Sequence, residues 1–178
     1  MKWLFGMRPG RTIMPRIDLL DVLVDINIYR HMRNGKSVPY DTTILVRDTC
    51  LCLHVQRAAR ALARHFDDAL RPIGLTSGQF SLLMSLNRPA PPTMKDVASL
   101  LVMDRTTLTA ALKPLERNGW ITVAPDKDDR RVKRLSLTAD GSAVLLRAVP
   151  IWKKSHGALE KKLTRSGDAL RKDLMALL

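Results

Sequence analysis

Three devices follow one another between Thr93 and Thr138, and their order leaves few folds open. The first is "TMKDVASLL", where Thr93 and Asp96 make a capping-box pattern, with Asp a weaker third-position partner than Glu or Gln. The second is "DRTTLTAALKPLERNG", a helix that Asp104 can cap and Gly119 can close. The third is a pair of short alternating segments, 120–124 and 132–138, joined by "PDKDDRR". From Asp126 to Arg134 every residue but Val132 is charged. A run so rich in charge is ordinarily a solvated loop or a tail. Here it sits at the tip of a hairpin that directly follows two capped helices.

Helix, short turn, helix and charged hairpin make the plan of a winged helix-turn-helix. In that plan "TMKDVASLL" braces against a duplex and the helix from Asp104 reads it. The exposed side of that reading helix carries Arg105, Thr106, Thr107 and Thr109, side chains of the right length and polarity for base edges and phosphates in a major groove. Lys113 reaches a phosphate. Leu108, Leu112 and Leu115 face the other way and pack inward. The wing's Lys127, Arg130, Arg131 and Lys133 enter the adjacent minor groove or line the backbone. Asp129 holds an arginine by a charge-assisted hydrogen bond and shapes the wing tip. Asp126 and Asp128 read as solubility and turn residues. Pro114 removes the helical bond to the carbonyl of Ala110 and predicts a mild bend, late enough to spare the groove-reading turns.

The charge balance agrees with a polyanionic partner. Lys and Arg number 30 against 17 Asp and Glu, a net charge of +13. Nucleic acid comes first among such partners and an anionic membrane surface second. Hydrophobic residues make up 46% of the chain but aromatics only 4%, so the core is built of Leu, Ala and Val, a helix-leaning palette. Cys50 and Cys52 make no disulfide framework, which fits a reducing cytoplasm. The apolar runs are too short to span a bilayer. "MKWLFGMRPGR" is interrupted by Gly6, Pro9 and Gly10 before a signal-peptide core can form.

The rest of the chain reads as helix. Residues 15–34 predict a short amphipathic helix with Asp18, Asp21 and Asp25 on one face, followed by a break at "NGKSVP". Residues 44–71 carry Leu51, Val55, Ala58, Leu62, Phe66 and Leu70 at helical spacing, stopped by Pro72 and Gly74. "TSGQFSLLMSLN" opens with a Thr76–Gln79 capping box. Helix resumes near Thr138, with Pro150 inside it, and "GDALRKDLMALL" is a final helical piece.

The stretch "VASLLVMDRTTLTAALKPLERNGWITVAPDKDDRRVKRLSLTADG" resembles the signature of the multiple-antibiotic-resistance regulator (MarR) family. The most specific part is Asp129-Arg130-Arg131, followed by Leu137-Thr138 and Gly141. "LERNGW" and the "GLT" at 74–76 leading to Gln79-Phe80 match as well. The resemblance covers residues 50–178, and residues 1–40 lie outside it, read either as an added arm that lengthens the dimer interface or as an over-long start with Met14 or Met32 as the first residue. It implies a mainly α fold with a small β-hairpin wing, in which a winged helix-turn-helix lobe (76–138) joins an all-helical dimerisation domain (41–75 with 139–178). It implies an obligate homodimer on a near-palindromic operator, and a repressor released by a small amphipathic or aromatic ligand. His54, Arg57, Trp152 and His156 are the candidates for lining the ligand cleft, against a structural reading of each as interface or core. No cofactor is implied.

Two other readings use the same residues. Cys52 falls near the reactive cysteine of the family's peroxide-sensing branch, which makes a thiol-based sensor an alternative. The tyrosines that branch uses are missing nearby, the chain's two being Tyr29 and Tyr40. On one helix, residues two apart point about 200° apart, so Cys50 and Cys52 are not expected to bond each other. The second alternative is a nucleoid-type protein that coats DNA by charge alone. An enzyme is not expected, since HExxH, a phosphate-cradling glycine loop and GxSxG are all missing.

Overall fold

The computed structural model describes residues 37–178, so the helix predicted over 15–34, with its aspartate face, lies outside the described residues. The chain divides into two compact units, the first ending at Val55 and the second spanning Gln56–Leu178.

The predicted helix over 44–71 is two helices. α1 spans Tyr40–Thr49 and α2 spans Leu51–Leu70. Cys50 between them has extended backbone (φ −71°, ψ 107°). Its N–H still bonds the Val46 carbonyl (3.0 Å), and its own carbonyl accepts from the N–H of His54 (3.1 Å). Cys50 therefore closes one helix and opens the next without proline or glycine. Thr49 contributes, because its hydroxyl donates back to the Leu45 carbonyl (2.7 Å) and competes with the helical ladder at that end. The 200° argument for the cysteines fails with this break, since only Cys52 is helical. Neither cysteine is in a disulfide.

A 3₁₀ turn, Arg71–Ile73, closes on Gly74, whose φ of +74° is the left-handed conformation that glycine adopts without penalty. α3 (Ser77–Leu86) opens with the predicted Thr76–Gln79 capping box. Asp67 of α2 also accepts from the N–H of Ser77 (2.6 Å), placing a carboxylate at the positive end of α3. α4 (Met94–Leu101) has a complete capping box too, with Thr93 and Asp96 as reciprocal partners. Asp serves there as well as Glu because its Oδ2 reaches both the N–H (2.9 Å) and the hydroxyl (2.8 Å) of Thr93. α5 (Arg105–Arg117) is capped by Asp104 and runs on through Pro114. β1 (Ile121–Pro125) and β2 (Lys133–Leu137) pair antiparallel, with Ile121 opposite Leu137 and Pro125 opposite Lys133. α6 (Ala139–Glu160) runs through Pro150, and α7 (Gly167–Met175) follows, capped by Ser166.

One apolar cluster holds the second unit together. Leu108, Leu112 and Leu115 of α5 are buried as their spacing predicts, beside Val97 of α4, Ile121 of β1 and Leu135 of β2. Leu83 of α3 and Val144, Leu145 and Ala148 of α6 complete it, so residues of 76–138 and 139–178 share a core. A fully buried leucine contributes roughly 2 kcal/mol in burial alone. α2 is different: of its apolar stripe only Leu70 is buried. No helix among the described residues is long and apolar enough to cross a membrane.

Candidate nucleic-acid interface

The reading helix is presented by its cap. Asp104 Oδ1 accepts from the N–H of Thr107 (2.8 Å) and its Oδ2 from the Thr107 hydroxyl (2.5 Å). These bonds hold the Asp104 carboxyl below its ordinary range, the Thr107 hydroxyl contributing most. Thr109 turns its hydroxyl proton back onto the Arg105 carbonyl (2.7 Å). Thr107 and Thr109 are exposed but their donors are engaged. Arg105, Thr106 and Lys113 are also exposed, and among the described residues no hydrogen bond engages their side chains. Of the four residues predicted to face base edges, Arg105 and Thr106 thus keep their donors free.

The turn before α5 contains Val102 at φ +51° and ψ +46°, left-handed backbone that a β-branched side chain rarely adopts. Its N–H satisfies carbonyls at the end of α4, which fixes the angle between the two helices.

The wing is joined to the core by a glycine contact and a carboxylate. Gly119, at φ +72°, turns the chain out of α5 into β1. At the other end, Thr138 donates its N–H to the Trp120 carbonyl (3.0 Å) and its hydroxyl to the Gly119 carbonyl (2.7 Å). The same hydroxyl accepts from the N–H of Gly141 (3.0 Å) and caps α6. Gly141 lies so close to Trp120 that a Cβ there would stand 2.0 Å from its carbonyl oxygen. The Thr138–Gly141 part of the signature is therefore a joint between the wing and α6.

Asp126 is the residue that the sequence undervalued. It is 9% exposed although it sits in the charged run. Its Oδ1 accepts from the N–H groups of Asp128 (2.9 Å) and Asp129 (3.3 Å), and its Oδ2 from Arg134 Nε. Arg134, then these two N–H groups, keep the Asp126 carboxyl below its ordinary range. Arg134 also donates to the Pro91 carbonyl (2.9 Å), and the N–H of Leu135 donates to Pro92 (3.0 Å). The spacing Asp126-x-Asp128 was the available signal, since an aspartate two residues before an N–H is an Asx-turn pattern.

Asp129 takes hold of an arginine, Arg131. Its carboxylate takes Arg131 Nε (3.1 Å) and Nη2 (3.2 Å) and the Arg131 N–H (3.0 Å). Arg131 nevertheless leaves 91% of its side chain exposed. Lys127, Arg130 and Lys133 are exposed with no carboxylate partner among the described residues. The wing thus turns Asp126 inward and leaves Lys127, Arg130, Arg131 and Lys133 exposed.

Two of the candidates for the ligand cleft meet on α6. Trp152 stacks on His156 (centroids 4.7 Å apart, planes at 10°) and, from 6.2 Å, on Phe80 of α3. His156 also meets Glu160 at 3.3 Å. Arg57 is exposed on α2, and His54, in the first unit, has its ring Nδ1 2.9 Å from the Cys50 carbonyl. His65 Nε2, which the sequence did not single out, lies 2.8 Å from Ser155 Oγ.

The comparisons with known proteins fall on this same region. A family model described as "MarR family" matches residues 75–133. The organic hydroperoxide resistance transcriptional regulator of Bacillus subtilis is 31% identical over 101 residues, 57% of this chain and 69% of that protein. The uncharacterized HTH-type transcriptional regulator YwoH of the same organism is 35% identical over 86 residues, 48% of this chain and 62% of its own length. Among solved structures, the M. tuberculosis transcriptional regulator MOSR in complex with DNA superposes with a TM-score of 0.67 at 38% identity. That match covers 72% of this chain and 92% of the other.

Proposed function

The chain belongs to the MarR family of winged-helix DNA-binding transcriptional regulators, and from that premise we propose that it binds a near-palindromic operator as a homodimer. α5 enters the major groove, where Arg105 and Thr106 read base edges and Lys113 holds a phosphate. The β1–β2 wing carries Lys127, Arg130, Arg131 and Lys133 to the flanking minor groove or backbone. The observation that carries this reading is the placing of charge at the wing: Asp126 is turned in on Arg134 and its own turn, Asp129 is taken up by Arg131, and Lys127, Arg130, Arg131 and Lys133 stay exposed. Coulomb attraction to phosphate is the purpose such an arrangement serves best.

A homodimer is supported by apolar side chains that nothing covers in the single chain. Leu146 is 77% exposed and Leu178 78%, and Leu62, Leu170, Leu174, Met175 and Leu177 add to them. Apolar groups of this kind mark an interface where they adjoin in one patch. The regulator acts as a repressor released by a small amphipathic or aromatic molecule. The Trp152–His156 stack, which joins α6 to Phe80 of α3, is the place where such a molecule would move the lobe carrying α5.

The test is Arg131→Ala in a footprint and titration on operator DNA. A loss of roughly tenfold in affinity with shortened protection at the wing is expected, as for one specific contact. An unchanged footprint and affinity would refute the wing assignment.

A further inference from the structure

We propose that Asp126 and Arg134 are positioning residues for DNA binding, a strut that sets the wing's angle to the helix-turn-helix and so decides whether Arg130 and Arg131 reach the duplex. The inference rests on the DNA-binding reading above and deepens it. Both residues are engaged within the protein, although 43% of the Arg134 side chain stays exposed. Asp126 is nearly buried, and Arg134 spends its guanidinium on Asp126 and on the carbonyl of Pro91.

The physical need for a strut follows from the size of the wing. Two strands of five residues are marginal by themselves. The hairpin closes at its tip through Asp126 N–H to the Val132 carbonyl (2.8 Å) and Val132 N–H to the Asp129 carbonyl (2.9 Å). At its side it leans on the segment before α4: Leu135 N–H reaches Pro92, and Thr93 bridges Arg134. Thr93 is also the cap of α4. Arg134 thus touches both the tip, through Asp126, and the entrance of the helix-turn-helix, through Pro91, a residue 43 positions away. With the strut in place, the tip that carries Arg130 and Arg131 moves with α4 and α5 as one body. Without it the tip is tethered only through its own short ladder, and the wing cations lose the preorganisation that makes a contact count.

The experiment uses the full chain, a DNA site selected by the wild-type protein, and the variants Asp126→Asn, Arg130→Ala and the pair. Asparagine keeps an oxygen for the N–H groups of Asp128 and Asp129, and loses the charge that holds Arg134. The expected result is that Asp126→Asn binds about tenfold more weakly, a change of ~1.4 kcal/mol. Arg130→Ala weakens the wild type but adds little in the Asp126→Asn background, and the slope of affinity against salt falls in the two single variants alike. A purely structural weakening would lower the melting temperature without removing the effect of Arg130. Wild-type affinity and salt slope in Asp126→Asn would overturn the proposal, and so would a full, additive loss on adding Arg130→Ala. If Asp126→Asn fails to fold, Arg134→Lys gives the same comparison, since it keeps the charge and loses the reach to Pro91. If the wild type selects no DNA site, the family function itself fails, and this inference falls with it.

Discussion

Replacing Gly141 with alanine tests how the wing is attached to α6. The new Cβ would lie 2.0 Å from the Trp120 carbonyl oxygen and 2.9 Å from its carbonyl carbon. Both are backbone atoms, so no flexible side chain can move aside. An ordinary contact is about 3.5 Å, which means α6 and the turn that leads into β1 must part by about 1.5 Å. Overpacking of this kind costs about 1–3 kcal/mol. The parting also breaks or lengthens the bond from the Thr138 N–H to the same Trp120 carbonyl, now 3.0 Å, at about 1 kcal/mol more. Alanine returns up to about 1 kcal/mol through its better helix propensity. The net destabilisation is about 1–3 kcal/mol, which in a chain of this length lowers the melting temperature by roughly 2–12 °C. Gly78→Ala is the matched control. Gly78 is also helical, in α3, and a Cβ there meets nothing within 4 Å. That variant should melt at or slightly above the wild type. Thermal denaturation of the three proteins at one concentration decides the matter, because a dimer's melting point depends on concentration. A Gly141→Ala protein that melts with the wild type, or shifts as Gly78→Ala does, would refute the reasoning.

Other consequences follow from the same geometry. Val102→Gly should raise stability by about 1 kcal/mol, since glycine accepts the left-handed backbone that valine resists, read by chemical denaturation; a loss would show that the valine side chain is needed where it stands. Stability should hold from neutral pH down to about 5 and fall below about 4. The carboxyls of Asp96, Asp104, Asp126, Asp129 and Glu160 are all held below their ordinary range by hydrogen bonds present only in the folded state. A group lowered in this way stabilises the fold above its unfolded pKa, and that contribution disappears as pH falls through the folded value. A melting temperature that stays level to pH 3 would contradict it. Aromatic acids or phenols should shift the melting temperature and release DNA, and Trp152→Ala should abolish both; release by peroxide that a Cys52→Ser variant loses would instead favour the thiol reading.

The sequence made local devices legible and distant ones obscure. Caps such as Thr76–Gln79, Thr93–Asp96 and Asp104 are written within four residues, and each is present. The inward face of α5 follows from helical spacing alone, and the wing from alternation around a charged tip. Asp126 was obscure because its partners, Arg134 and through it Pro91, belong to other elements. The break at Cys50 had no proline or glycine to announce it. The engagement of Thr107 was readable in principle, because an Asp cap bonds the third residue that follows, and here that residue is a threonine with a hydroxyl to spare. The relation between helical spacing and burial also failed for α2, where an apolar stripe is left largely in water. Periodicity reports that a face is apolar and does not name the surface that covers it.

The most direct test of the central claim is selection of duplexes from a random pool by the full-length protein, at physiological salt and with competitor DNA. Two-fold recognition by a pair of winged helices predicts enrichment of a near-palindrome with half-sites about one helical turn, ~10 base pairs, apart. A pool that stays random while all DNA is retained, and is released uniformly as salt rises, would contradict it and leave a protein that binds by charge alone.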